Sequence, residues 1–143
     1  MTIHSLLSQQ HRDCDLLFER CRLALQDGNW PAAESAFNQL QQDLIAHIAL
    51  EEQQLFPAFE RATGQTQGPT AVMRLEHEGM QSRLTRIPEL LQQRDAPTAL
   101  ALLADVTELL AQHNRKEERI LYPWCDQLLP ELSARLDAVS LPH

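Results

Sequence analysis

Six side chains in this sequence have the chemistry to hold metal ions, and their spacing repeats. His47 and Glu51 lie four residues apart, as do His113 and Glu117, and a further histidine lies upstream of each pair, His11 and His77. His11 and His77, His47 and His113, and Glu51 and Glu117 are all separated by 66 positions. On a helix the i,i+4 spacing places imidazole and carboxylate on one face. Four imidazoles and two carboxylates, with no thiolate required, suit iron, manganese or zinc. A closed zinc site takes only about four ligands. Six ligands in a twofold arrangement fit two metals better, each with two histidines and with both glutamates bridging. An oxo or hydroxo bridge would bring each metal to five donors and leave one position open. The Glu-x-x-His spacing of ferritin-like di-iron proteins is absent, and so is the His-Glu-x-x-His of zinc proteases.

Helices must position these groups. Strand signals are weak, and apolar residues recur at steps of three and four. Four long helices are expected at 3–27, 31–63, 69–94 and 97–121, with a short one near 130–139. The breaks are Asp27-Gly28-Asn29-Trp30-Pro31, the loop from Thr63-Gly64 to Gly68-Pro69, and Arg94-Asp95-Ala96-Pro97. Proline suits a helix start. Pro57 and Pro123 are expected to kink or end the second and fourth helices. Short connections favour antiparallel neighbours, so the expected fold is all-α: an up-down-up-down antiparallel four-helix bundle with a short C-terminal helix.

The repeat extends over both hairpins. Leu7, His11, Cys14, Phe18, Cys21 and Leu25 map onto Met73, His77, Met80, Leu84, Ile87 and Leu91. Phe37, Leu40, Leu44, His47, Glu51 and Leu55 map onto Leu103, Val106, Leu110, His113, Glu117 and Leu121. Glu52/Glu118, Phe56/Tyr122 and Pro57/Pro123 continue the match. His11 lies 17 residues before Gly28, and His47 lies 17 after Trp30. At 1.5 Å per residue both stand about 25 Å from their turn, level with each other. The second hairpin has the same heights. Polar groups interrupt apolar stripes here, and a buried charge or imidazole is costly unless it is paired or binds a metal.

Bulk properties bound the alternatives. The 143 residues fit one domain, with the bundle at about 3–125 and the short helix after it. A net charge of −8 argues against a nucleic-acid partner. No apolar run approaches a membrane span, and the N-terminus does not read as a signal peptide. Three cysteines without paired spacing, Cys14, Cys21 and Cys125, fit reduced thiols in a cytoplasm, packed as small hydrophobes.

With these residues in hand, the chain resembles the hemerythrin-like (HHE cation-binding) family, in its bacterial stand-alone type. The resemblance rests on His47-x-x-x-Glu51 and His113-x-x-x-Glu117, on His11 and His77 upstream, and on the Glu51–Pro57 and Glu117–Pro123 continuations. It covers roughly residues 4–125. It implies a di-iron centre that binds O2 or a related small molecule, with His11 and His47 on one iron, His77 and His113 on the other, and Glu51 and Glu117 bridging. The oxygen carriers have a fifth histidine one turn after the position of His77, where this chain has Gln81. Their second bridging acid is an aspartate one residue beyond the position of Glu117. Both departures lean away from reversible oxygen carriage, towards sensing, oxidative chemistry or NO handling. The N-terminal cysteine-bearing domain of iron–sulfur repair members is not seen in the sequence.

The expected function is a non-haem di-iron protein that binds or senses O2, NO or peroxide at a carboxylate-bridged centre. The alternatives are a di-iron enzyme of peroxidase, oxidase or nitric oxide reductase type, and a storage or structural site for iron, manganese or zinc. No catalytic residue apart from the ligands stands out. Glu52 and Glu118 read either as solvated or as hydrogen-bond partners of the ligands. Cys14, Met80 and Tyr122 read first as packing residues, with pocket lining (Cys14, Met80) or a hydrogen bond near the centre (Tyr122) as the sharper alternatives. His4 is left out because its repeat mate is Thr70, and His143 is terminal. Leu132, Leu136 and Val139 would cap the bundle or pair with a second chain as a homodimer.

Overall fold

Two cap networks start the chain. Thr2 and Ser5 form a reciprocal capping box at the head of α1 (Ile3–Gln26). Asp126, near the other end of the sequence, accepts the Ile3 and His4 amides at 2.8 and 3.1 Å. Together they satisfy the amides that a helix N-terminus leaves without partners. The computed structural model describes residues 2–139, with side chains described through 136. Met1 and His143 lie outside that range, and the side chain of Val139 outside the described ones.

Helix α1 turns at Gly28, whose φ of 69° suits a residue without a side chain. Asn29 then caps α2 (Trp30–Leu50), accepting the Ala32 amide at 3.2 Å. The second hairpin repeats this turn with different residues. Arg94 takes the left-handed conformation at φ 56°, and its guanidinium lies over the Trp30 ring, 5.4 Å from the centroid. Asp95 caps α6 (Ala96–Lys116) through the Thr98 amide at 3.2 Å.

The helix expected at 31–63 is one rod in three parts: α2, a π turn at Glu51–Leu55, and α3 (Phe56–Thr63). The helix expected at 97–121 matches it: α6, a π turn at Glu117–Leu121, and α7 (Tyr122–Leu128). Pro57 and Pro123 therefore do not end their helices. A proline lacks the N–H for the usual bond and crowds the carbonyl four residues back. Here the backbone widens just before it, so that Phe56 N–H donates to the Glu51 carbonyl and Tyr122 N–H to that of Glu117. The helix expected at 69–94 does break. It forms α4 (Pro69–Leu84) and α5 (Ile87–Gln92), because Pro88 lies in its interior. The repeat mate of Pro88 is Arg22, so α1 runs unbroken.

The four long helical rods pack antiparallel, with α8 (Pro130–Val139) closing one end. Their core is divided. One apolar cluster, with Phe18, Leu25, Phe37, Leu40, Ile87, Leu103 and Val106, fills the half nearer the hairpin turns. The other, with Ile3, Leu7, Phe56, Phe59, Leu121, Cys125, Leu132 and Leu136, fills the opposite half. Leu132 and Leu136 are buried in this cluster, which is one of the two roles open to them. Between the clusters runs one polar layer.

Asp126→Ala removes the acceptor for two amides of the first turn of α1. It is expected to cost about 1 kcal/mol, lowering the melting temperature by roughly 2–4 °C. Thermal denaturation followed by circular dichroism checks this.

Candidate metal centre

The polar layer is made of the six predicted side chains. His11, His47, His77, His113, Glu51 and Glu117 are all buried, the two glutamates completely. Each histidine comes from a different helical segment: His11 from α1, His47 from α2, His77 from α4 and His113 from α6. Each glutamate opens a π turn. The layer is nearly twofold. The rings of His11 and His47 are 4.8 Å apart and tilted by 59°, and those of His77 and His113 are 4.7 Å apart and tilted by 55°.

Among the described residues, two groups can hold a cation. One is His11, His47, Glu51 and Glu117, and the other is His77, His113, Glu51 and Glu117. Within each group the ligand atoms lie within 4.8 Å of one another. Both groups share both glutamates. Glu51 Oε1 is 3.5 Å from His47 Nε2 and 3.1 Å from His77 Nε2. Glu117 Oε1 is 3.1 Å from His11 Nε2 and 3.2 Å from His113 Nε2. Each carboxylate thus reaches one histidine of each half.

The outward nitrogen of every imidazole is held by an acceptor. His11 Nδ1 meets Glu118 Oε2 at 2.6 Å and His77 Nδ1 meets Glu52 Oε2 at 2.7 Å. His47 Nδ1 meets Gln10 Oε1 at 2.7 Å, and His113 Nδ1 meets Glu76 Oε1 at 2.8 Å. Acceptors of this kind require a proton on Nδ1, which leaves the Nε2 lone pair facing inward. His77 Nε2 and His113 Nε2 are 3.1 Å apart. Among the described residues, His47 Nε2, Glu51 Oε1 and Glu117 Oε2 have no hydrogen-bond partner. Lone pairs and carboxylates crowded in a dry interior repel unless positive charge lies among them.

Protons supply some of that charge. Burial alone would lower the His113 pKa, but its hydrogen bonds to Glu117 and Glu76 and the charges of Glu117 and Glu51 raise it to about 9. Burial takes His47 down to about 4. Burial and the charge of Glu117 push Glu51 up. Burial opposes ionisation of Glu117 too, but hydrogen bonds with Glu51, His11 and His113 hold it below the usual carboxylate range.

Tyr122 takes a direct part, beyond the packing first expected of it. Its hydroxyl is 2.5 Å from Glu51 Oε2, 2.9 Å from Glu117 Oε1 and 3.1 Å from His11 Nε2. Burial and the two carboxylates raise its pKa well above the usual value. Its ring stacks on His11 at 5.6 Å, as its repeat mate Phe56 stacks on His77 at 5.8 Å. Glu52 and Glu118 are the hydrogen-bond partners that the sequence left open. Gln10 and Glu76 went unnoticed, although they are repeat mates one residue before His11 and His77. Cys14 and Met80 are buried in the apolar cluster one turn from those histidines, and Gln81 is half-buried. A cleft of about 890 Å³ between α1 and α6 reaches Glu118, the partner of His11.

Residues 2–125 match the hemerythrin HHE cation-binding domain. The chain belongs to this family. It is also distantly similar to the iron-sulfur cluster repair protein YtfE of Yersinia pestis (strain Pestoides F) and of Yersinia pseudotuberculosis serotype O:1b (strain IP 31758). Each is 33% identical over 91 residues, which cover 57% of this chain and 41% of the relative. The chain therefore matches less than half the length of these relatives. No solved structure matches significantly. No helix among the described residues is long and apolar enough to cross a membrane.

Burial lifts the pKa of Cys14 and Cys125 to about 12 and that of Cys21 to about 11. Only the thiolate reacts readily. Native protein at pH 8 is expected to resist iodoacetamide at all three cysteines and to be labelled at all three once unfolded, as read by mass spectrometry.

Proposed function

We propose that this hemerythrin-family chain is a non-haem di-iron protein that binds or senses O2, NO or a related small molecule. His11 and His47 would hold one iron, His77 and His113 the other, and Glu51 and Glu117 would bridge them. One observation carries the reading: four inward-facing imidazole nitrogens and two shared carboxylates form one buried layer, in two groups whose ligand atoms lie within 4.8 Å of one another. The donor set fits iron, since nitrogen and oxygen ligands without thiolate suit that metal among others. An iron pair held there would supply one-electron chemistry and a place for a diatomic molecule to bind.

The chain's own residues do the rest. The Nδ1 partners fix each imidazole in the ligating tautomer. The apolar clusters on either side of the layer keep bulk water out. Tyr122 holds the carboxylates in place and offers a hydroxyl proton beside them. That hydroxyl also favours a second reading, a di-iron enzyme of peroxidase, oxidase or nitric oxide reductase type, which would need a proton donor at this place. Cluster repair, which the names of the relatives describe, would be a further proposal that this chain's matched portion alone does not carry.

Anaerobically reduced protein is expected to contain about two irons per chain and, on exposure to O2, to develop the visible absorption of a bridged diferric centre. A full complement of zinc with little iron would overturn the reading. Stripping the metal should cost about 3 kcal/mol of stability where free metal stood 100-fold above its Kd, read by denaturant titration. Tyr122→Phe should keep both metals. A loss of turnover with a defined reductant in this variant would favour the enzyme reading, and stoichiometric oxidation without turnover in the unmodified protein would count against it.

A further inference from the structure

The two halves of the centre are alike in their histidines and unlike in what stands behind them. Behind His77 and His113 stand two carboxylates, Glu52 at 2.7 Å and Glu76 at 2.8 Å. Behind His11 and His47 stand one carboxylate, Glu118 at 2.6 Å, and one neutral amide, Gln10 at 2.7 Å. Gln10 and Glu76 are repeat mates, so this is one position of the repeat filled by two chemistries. A carboxylate behind the Nδ1 proton makes the far nitrogen a better donor to metal than an amide does. Lys116 Nζ is 2.5 Å from Glu76 Oε2, but Lys116 is half exposed and it leaves Oε1 to His113.

A second difference has the same sense. Beside His77 stands the phenyl ring of Phe56, which has no hydrogen-bonding group. Beside His11 stands the hydroxyl of Tyr122, within 3.1 Å of Nε2 and bonded to both shared carboxylates. A cation entering between His11 and His47 must draw these same atoms away from the phenol. One entering between His77 and His113 meets the phenol at the shared carboxylates, as at Glu117 Oε1, but not at a histidine, since the imidazole beside the hydroxyl is that of His11.

We propose that the two metal positions fill in order, the one between His77 and His113 first and more tightly, the one between His11 and His47 second and more loosely. This deepens the di-metal reading and rests on it. The looser ion, beside Glu118 and the cleft that reaches it, is the one the protein can exchange while it keeps the other.

Cobalt(II) alone, added to metal-free protein, tests the order. Calorimetry is expected to show two steps, the first at least about tenfold tighter. At one equivalent, the strongly shifted Nδ1 proton resonances in the NMR spectrum should be those of His77 and His113. Glu76→Gln should weaken the first step by about 10–100-fold and leave the second nearly unchanged. Gln10→Glu should tighten the second, so the proposal stays testable if the first variant does not fold. Two steps of equal affinity, or resonances of all four histidines rising together from the first addition, would overturn the order and leave the di-metal reading standing. Fewer than two cobalt ions per folded chain would overturn the di-metal reading itself.

Discussion

Two carboxylates with almost no access to water, set among four imidazole nitrogens, are the constraint on which the rest of this structure depends. Such a layer cannot persist on packing alone. Its removal from water costs several kcal/mol per ion unless compensating charge and hydrogen bonds are in place. The surrounding residues meet that demand. Glu118, Gln10, Glu52 and Glu76 fix the histidines from outside. Tyr122 ties the two glutamates together from within. The apolar clusters on either side supply the folding energy that the polar layer does not.

The π turns couple this layer to the fold. Each begins at a shared glutamate and ends just before the aromatic residue that stacks on a histidine, Phe56 or Tyr122. A plain α-helix would carry Pro57 or Pro123 into a clash. The widened turn accepts the proline and lets Glu51 and Phe56, or Glu117 and Tyr122, five residues apart, face the interior together. One local distortion, made twice, serves both the backbone and the site. Three of the differences between the two copies lie at the centre: Gln10 against Glu76, Phe56 against Tyr122, and Ile48 against Asn114, whose Oδ1 is buried without a hydrogen-bond partner among the described residues.

Much of this was legible in the sequence, for a physical reason. The 66-residue repeat and the helical period together place His11, His47, His77, His113, Glu51 and Glu117 at one height on inward faces. The four-rod architecture follows from the same pattern and from the Gly28 and Arg94-Asp95 turns. The break at Pro88 was missed because the apolar stripe of Ile87 and Leu91 continues across it. At Pro57 and Pro123 the sequence suggests a kink or an end, because periodicity does not reveal a single widened turn. Gln10 and Glu76 were invisible for another reason. Each holds a histidine on a different helix, so their role depends on packing between helices and not on spacing along one. Tyr122 is of the same kind, since its hydroxyl reaches Glu51 on another rod.

The central claim is that the layer holds two ions that share both glutamates. Anomalous diffraction at the iron edge, on crystals of protein grown with iron, tests it most directly. Two separate iron peaks are expected, one beside His11 and His47 and one beside His77 and His113, with Glu51 and Glu117 in contact with both. A single peak shared by all six side chains, or no peak between Glu51 and Glu117, would contradict the account.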